Sequence, residues 1–440
     1  MSLTAPSPER GEFFDALETR EPAEREAQLM AALRLQLSHA KAQTSAYAGL
    51  LAGVDPADVC NRAALARLPV TRKPELAARQ QALRERQGLE GADPYDALGG
   101  FSAIGWRGCV RSGGAARVFQ SPGGLYEPEG RAADYWRVAR ALFAAGLRAG
   151  DLVHNSFSYH LTPAGAMMEG GAHALGCTVF PGGVGNTELQ LQAMRDLRPQ
   201  AYVGTPSFLK ILLDKAAESG LRLDSLQRAL LSGEAFPNSL RDWLAERGVA
   251  GYQCYATADL GLVAYETAAR EGLVLAEGII VEIVRPGGSE PVAAGEVGEL
   301  VVTTLNPDYP LIRFGTGDLS AILPGPCPTG RSNQRIRGWL GRADQSAKVR
   351  GMFIHASQLA ELQSRFPQAG RARLVVEGEM AQDRLTLKLE LPEGEPREGL
   401  AEQLAAALRD ITKLRAEVQL LPLGSLPNDG RVIEDARRLD

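Results

Sequence analysis

Apolar positions recur at helical spacing early in the chain, then give way to short apolar runs separated by turns. Over residues 23–39, Leu29, Leu33 and Leu37 fall one turn apart among Glu, Arg and Gln, which predicts an amphipathic helix. Residues 68–76, from Leu68-Pro69-Val70 to Leu76, predict a turn into a second helix with Thr71 as N-cap, and no chemistry is read there. From 131 to 255 helix and strand patterns alternate. Tyr135, Val138, Ala139, Leu142 and Phe143 predict one apolar helix face, and short strands are expected at 151–154, 177–180, 201–204 and 228–231. Thr205-Pro206 caps and opens a helix bearing Phe208, Leu209, Leu212 and Leu213. This alternation predicts an α/β fold with a doubly wound, mostly parallel sheet.

Beyond about 262 the pattern shortens. Strands at 278–284 and 298–304, punctuated by Pro286-Gly287-Gly288, predict an antiparallel β subdomain. A loop rich in Pro, Gly, Ser and Asn covers 324–333. Past Gly341 the texture changes again: strands at 373–377 and 385–391 and helices at 356–366 and 399–409 predict a small α+β domain. The expected division is 1–340 for a large N-terminal domain and 341–440 for a mobile C-terminal one.

A length of 440 residues, 45% hydrophobic and 23% charged, allows two or three ordinary domains with ample cores. The net charge of −5, from 48 basic and 53 acidic residues without long runs of one sign, argues against a bulk nucleic-acid binder. No apolar run approaches the roughly 20 residues needed to span a bilayer. The opening Met1-Ser2-Leu3-Thr4-Ala5-Pro6 lacks the features of a signal peptide. The five cysteines stand singly, at 60, 109, 177, 254 and 327, which fits a reduced cytoplasmic compartment.

Three strand ends carry candidate chemistry. Gly204-Thr205-Pro206, Ser232-Gly233-Glu234 and Ala256-Thr257-Ala258-Asp259 should meet on the carboxyl rim of the sheet, where open α/β sheets bind ligands. Taken alone, the last reads more safely as a strand end followed by a solvated turn. Ser121-Pro122-Gly123-Gly124 can aim backbone N–H groups at a phosphate, although it is also an ordinary turn and lacks a following lysine. Asp318, behind Gly315-Thr316-Gly317, can accept both hydroxyls of a ribose or simply close an Asx-turn. His154, His160 and His173 do not make a metal site by spacing, and Cys254 reads as a packed small hydrophobe. There is no Gly-x-Ser-x-Gly elbow to support a hydrolase.

Pro310-Leu311-Ile312-Arg313-Phe314-Gly315-Thr316-Gly317-Asp318-Leu319 and Gly341-Arg342-Ala343-Asp344-Gln345-Ser346-Ala347-Lys348-Val349-Arg350-Gly351 resemble motifs of the adenylate-forming superfamily, in its phenylacetate–CoA ligase-like branch. The resemblance runs over nearly the whole chain. It implies a ligase that joins a carboxylic acid, aromatic by this branch, to ATP as an acyl-adenylate and then passes the acyl group to coenzyme A or a carrier thiol. It further implies ATP, Mg2+ and coenzyme A as cofactors, and a homodimer, with no nucleic-acid or membrane partner expected. By the same resemblance Ser121, Gly123 and Gly124 face phosphate, while Ser232, Gly233, Glu234, Tyr255, Ala256 and Thr257 surround adenine. Asp318 and Arg342 take the ribose, Asp259 faces the metal, and Asp344 is the hinge. Tyr159, His160, Thr205 and Pro206 line the acid pocket, and Lys348 and Arg431 serve catalysis.

Three departures touch the phosphates. The loop has lost its threonines and places Glu127 where the family has lysine, a charge reversal that is unfavourable unless Glu127 points away. Asp259 replaces a glutamate. Gly430-Arg431 stands where a Gly-Lys pair is expected, and arginine differs from lysine in shape and hydration. Two readings follow: an active ligase, or a nucleotide- or acyl-binding protein on the same scaffold that no longer completes adenylation.

Overall fold

The computed structural model describes residues 13–90, 96–105, 114–121, 124–343, 345–349, 352–377, 384–394 and 398–436. The first long helix, Pro22–Gln43, begins with Pro at its first position and buries Leu29, Leu33, Leu37 and Ala40 along one face. It stops at Thr44, whose hydroxyl accepts from Tyr47 N and so caps the next helix, Ser45–Leu50. Thr71 is not a helix cap. It lies in a two-residue strand, Thr71–Arg72, held by Thr71 N donating to Arg313 O at 3.0 Å, and the helix Lys73–Glu90 starts one residue too late for Thr71 to be its cap.

The centre is a nine-stranded sheet in the order Ile322–Leu323, Arg335–Ile336, Leu273–Leu275, Gly261–Glu266, Ala250–Thr257, Arg228–Leu231, Ala201–Gly204, Leu152–Asn155, Thr178–Pro181. The last five strands pair in parallel and alternate along the chain with helices. Strands such as Ala201–Gly204 are buried throughout, as parallel strands covered on both faces must be. Thr205 caps the helix Pro206–Glu218 by accepting from Phe208 N, as expected. The helix expected from Tyr135 is shorter and spans Ala139–Ala144. Asp134 holds the preceding turn by accepting from Val138 N and Ala139 N at 2.7 and 3.2 Å. Gly261–Glu266 and Leu273–Leu275 extend the main sheet in antiparallel fashion. A second sheet orders Thr71–Arg72, Phe314–Ser320, Gly298–Thr304 and Ile279–Val284.

Contacts divide the chain into two compact units. One comprises 1–281, 302–314 and 323–338; the other comprises 282–301, 315–322 and 339–440. Within the second, Ala372–Glu377 pairs antiparallel with Arg384–Leu391 and parallel with Ile433–Asp435. Glu417–Pro422 completes that sheet. The helices Ala356–Arg365 and Leu400–Thr412 bury Leu359, Leu362, Leu404 and Leu408 against Leu374 and Leu387. Among the described residues no helix is long and apolar enough to cross a membrane.

Candidate active site

The first unit builds a charged cluster around a hairpin. Arg117–Ser121 and Leu125–Glu129 pair antiparallel with Phe119 opposite Glu127, so Ser121 is the diagonal neighbour of Glu127 on the same face. The turn closes through Gly124 N to Ser121 O, and Gly124 has φ +76, a conformation that suits glycine. Gly123 lies outside the described residues. Ser121 Oγ donates to Glu127 Oε1 at 2.6 Å, and both residues are buried.

The helix Lys73–Glu90 supplies what the hairpin lacks. Lys73 Nζ donates to Ser121 Oγ at 2.7 Å and reaches Asp259 Oδ2 at 3.4 Å. Two turns on, the fully buried Gln80 donates to Tyr126 O and accepts from Tyr126 N, at 2.8 and 2.9 Å. Positions seven apart share a helix face. Lys73 and Gln80 thus address the same hairpin. Sequence reading placed no chemistry on Lys73, yet one signal was available. A cation at the first turn opposes the helix dipole, so a lysine opening a helix has another reason to be there.

Glu127 does not point away. Burial, and after it the Asp259 charge, pushes its carboxyl up to about 9, so it holds its proton at neutral pH. That proton is shared with Asp259. Glu127 Oε2 and Asp259 Oδ1 are both buried and have no other partner among the described residues. The hairpin therefore carries a neutral acid where the sequence suggested a repelling anion. Tyr309, also buried, stands near both groups, and burial, followed by the two neighbouring acids, raises its phenol well above its ordinary value.

A stability consequence follows. Glu127 binds a proton in the folded state that it releases when unfolded, between its ordinary value of 4.5 and about 9. Its contribution is present below that window and is lost as pH rises through it. Glu127→Gln keeps a donor and an acceptor without titrating. Melting temperatures taken from pH 5 to 9 should fall more steeply for the wild type than for this variant. Parallel curves would place the proton elsewhere.

Asp259 sits in the turn between Ala250–Thr257 and Gly261–Glu266, and Thr257 Oγ1 accepts from Leu260 N at 3.1 Å to hold that turn. Gly261 has φ +73, and a Cβ there would lie 2.8 Å from Trp136 O, so the turn closes against backbone. Ala256 pairs with Leu262, next to a register shift at Tyr255. Ser232 Oγ donates to Cys254 O at 2.8 Å, which commits its hydroxyl to the neighbouring strand. A Cβ on Gly233 would lie 3.8 Å from both Phe157 and Thr205, and the exposed Glu234 accepts from Ser207 N at the mouth of the helix opened by Pro206. The three strand ends therefore share one rim. Tyr159 is committed elsewhere: its hydroxyl donates to Glu169 and accepts from Asn155, at 2.8 and 2.7 Å. His160 is exposed on the same loop.

The second unit holds its own polar group. Asp318 bridges Arg342 through backbone, and its Oδ1 accepts from Arg342 Nη1 and from Trp339 Nε1, both at 3.0 Å. Gly317 has φ +72, a left-handed conformation that favours glycine, and a Cβ there would lie 2.6 Å from the end of the Arg342 side chain. Trp339 was not anticipated. Asp344 lies outside the described residues, but Gln345 beside it donates to Gly430 O and accepts from Val432 N and Ile433 N. Arg431 is exposed, with its amide donated to Asp429 and its carbonyl accepting from Arg373. Lys348 is on the strand Ser346–Val349, paired with Phe353; its side chain lies outside the described part.

A family model described as "AMP-binding enzyme" matches residues 156–306, which include the strand-end rim. The chain is 32% identical over 317 residues to the phenylacetate–coenzyme A ligase of Thermus thermophilus, covering 66% of this chain and 71% of that one. It is 32% identical over 316 residues to the phenylacetate–coenzyme A ligase of Escherichia coli, covering 67% and 71%. A solved 2-hydroxyisobutyryl-CoA ligase, in the postadenylation state with its acyl-AMP, superimposes with a TM-score of 0.66 at 25% identity, covering 95% and 91%. Fold, rim and matches together define an AMP-forming acid–coenzyme A ligase. The chain belongs to the phenylacetate–coenzyme A ligase family.

Proposed function

We propose that the protein activates a small carboxylic acid, aromatic in character, with ATP and transfers the acyl group to coenzyme A. The observation that carries this reading is the Lys73 ammonium seated on the hairpin, bonded to Ser121 and Asp259 beside a protonated Glu127. Phosphoryl chemistry asks the protein for position and positive charge. Lys73 supplies the lysine that the hairpin sequence lacks, and neutral Glu127 removes a repulsion. Backbone at Gly124 is assigned to the phosphates, as the resemblance also assigns Gly123, and Ser121 adds a hydroxyl. Ser232, Gly233, Glu234, Tyr255, Ala256 and Thr257 receive the adenine, and Asp318 with Arg342 takes the ribose hydroxyls.

Asp259 fits magnesium of the kind held mainly by phosphate oxygens and water, with one carboxylate added; it is a buried carboxylate on the strand-end rim. When bound, the ion would neutralise phosphate charge. Aromatic selectivity draws support from the similarity to phenylacetate–coenzyme A ligases and from Phe157, which with Thr205 borders Gly233. Pro206 belongs to the same wall, and Tyr159 and His160 sit on the loop beyond it. The thiol step is assigned to a turn of the C-terminal domain about the hinge that the resemblance places at Asp344, with Lys348 serving it.

Arg431 is assigned to adenylation. Arg431→Ala should slow acyl-adenylate formation by about 10²-fold, as loss of a transition-state charge contact does, and should spare thioester formation from preformed acyl-adenylate. Equal losses in both half-reactions would remove that assignment. The second reading, a binding protein that does not complete adenylation, is favoured by the lost threonines of the loop, by Asp259 in place of glutamate and by arginine in place of lysine at 431. Mass-spectrometric detection of acyl-AMP and acyl-CoA, over phenylacetate, benzoate and short aliphatic acids, tests the proposal. Acyl-CoA from an aromatic acid supports it, and product from aliphatic acids alone reassigns the substrate. Bound ATP without either product would favour the second reading.

A further inference from the structure

Lys73 needs an anchor. It follows a segment, Ala66–Arg72, that has only two residues in a strand and contains Pro69, so local structure alone leaves its register loose. The anchor is Arg313, a fully buried arginine. Its Nη1 donates to Ala66 O at 2.7 Å and also to Leu68 O, ahead of Pro69. Its backbone carbonyl accepts from Thr71 N at 3.0 Å, beyond Pro69. One residue therefore clamps the segment on both sides of the proline, two positions before Lys73.

The clamp is itself held against strain. Arg313 has φ +47, the left-handed region that non-glycine side chains seldom adopt and that persists when surroundings over-determine it. Here Arg313 N donates to Thr303 Oγ1, and the preceding Ile312 N donates to Tyr47 Oη, at 3.0 and 2.8 Å. A guanidinium is suited to the task because it stays charged and its rigid plane fixes Nη1, which carries two N–H groups, between the two carbonyls. Lysine would present a single ammonium.

We infer that Arg313 is a positioning residue for the reaction, setting the register from which Lys73 reaches Ser121 and Asp259. The inference rests on the reading of Lys73 given above. Its prediction is one of coupling. Arg313→Lys should lower acid-dependent ATP–pyrophosphate exchange by about tenfold when Lys73 is present, and by no more than about twofold in a Lys73→Met background, since residues acting through one another are non-additive. A readout independent of activity accompanies it. Amine-reactive labelling of Lys73, followed by peptide mass spectrometry without substrates, should quicken at least threefold in Arg313→Lys relative to other lysines. Thr303→Val, which removes the acceptor for Arg313 N, serves as a second variant if Arg313→Lys fails to fold; it should shift both readouts in the same direction by smaller factors.

An additive cycle, or labelling of Lys73 that does not change in a folded variant, overturns the inference. Faster labelling in a protein that shows no exchange even as wild type keeps Arg313 as the anchor of Lys73 and sinks the proposed function instead.

Discussion

Lys73→Met will lower acid-dependent ATP–pyrophosphate exchange by about 10²- to 10³-fold, the loss that follows removal of one preorganised charge contact, roughly 2.7–4 kcal/mol. The reason is local. The hairpin carries no other lysine, and its own acid, Glu127, is neutral and hydrogen-bonded to Asp259. Without Lys73, Ser121 loses the donor at 2.7 Å and Asp259 faces the triphosphate with its charge unbalanced. Methionine keeps the unbranched stem, and Lys73 is about one-third exposed, so the melting temperature should move little. The fall should appear in the maximal rate more than in the KM for the acid. A variant that retains wild-type exchange would move the phosphate contact elsewhere.

Asp318→Ala should raise the KM for ATP and lower kcat/KM for ATP by roughly 10- to 150-fold, or about 1.5–3 kcal/mol, the range for a hydrogen bond to a charged group. Asp318 is buried and holds both Arg342 and Trp339 on one oxygen, so alanine removes a ribose acceptor and releases two donors together. Steady-state rates with ATP varied at saturating acid give the number. Thioester formation from preformed acyl-adenylate should be affected less. A loss confined to the KM for coenzyme A would contradict the ribose role.

These two residues differ in how visible they were. Asp318 lies inside a continuous motif, and its turn is built from neighbours, including Thr316, whose hydroxyl accepts from Asp318 N. Thr205-Pro206 was legible for the same reason, since a cap and its helix are adjacent in sequence. The parallel strands announced themselves as short apolar runs ending in glycine or hydroxyl residues. Lys73 was hidden. Its partners lie 48 and 186 residues away, and only the packing of a helix on a hairpin brings them together.

The sign of the Glu127 contribution was hidden too. A glutamate in place of lysine reads as a charge reversal, whereas burial beside Asp259 leaves it uncharged, and burial is a tertiary property. Trp339 stands three residues from Arg342 yet went unnoticed, because its bond to Asp318 depends on the backbone bridge between Asp318 and Arg342. Thr71 was misplaced for a related reason. Its pattern suits an N-cap, but an amide already taken by Arg313 fixes it in a strand.

The most direct test of a working activation site is ATP–pyrophosphate exchange by the wild-type protein with magnesium, over aromatic and aliphatic acids. The expected result is exchange that depends on the acid and is fastest with an aromatic one. Saturable ATP binding with no exchange for any acid, at high enzyme concentration, would contradict it.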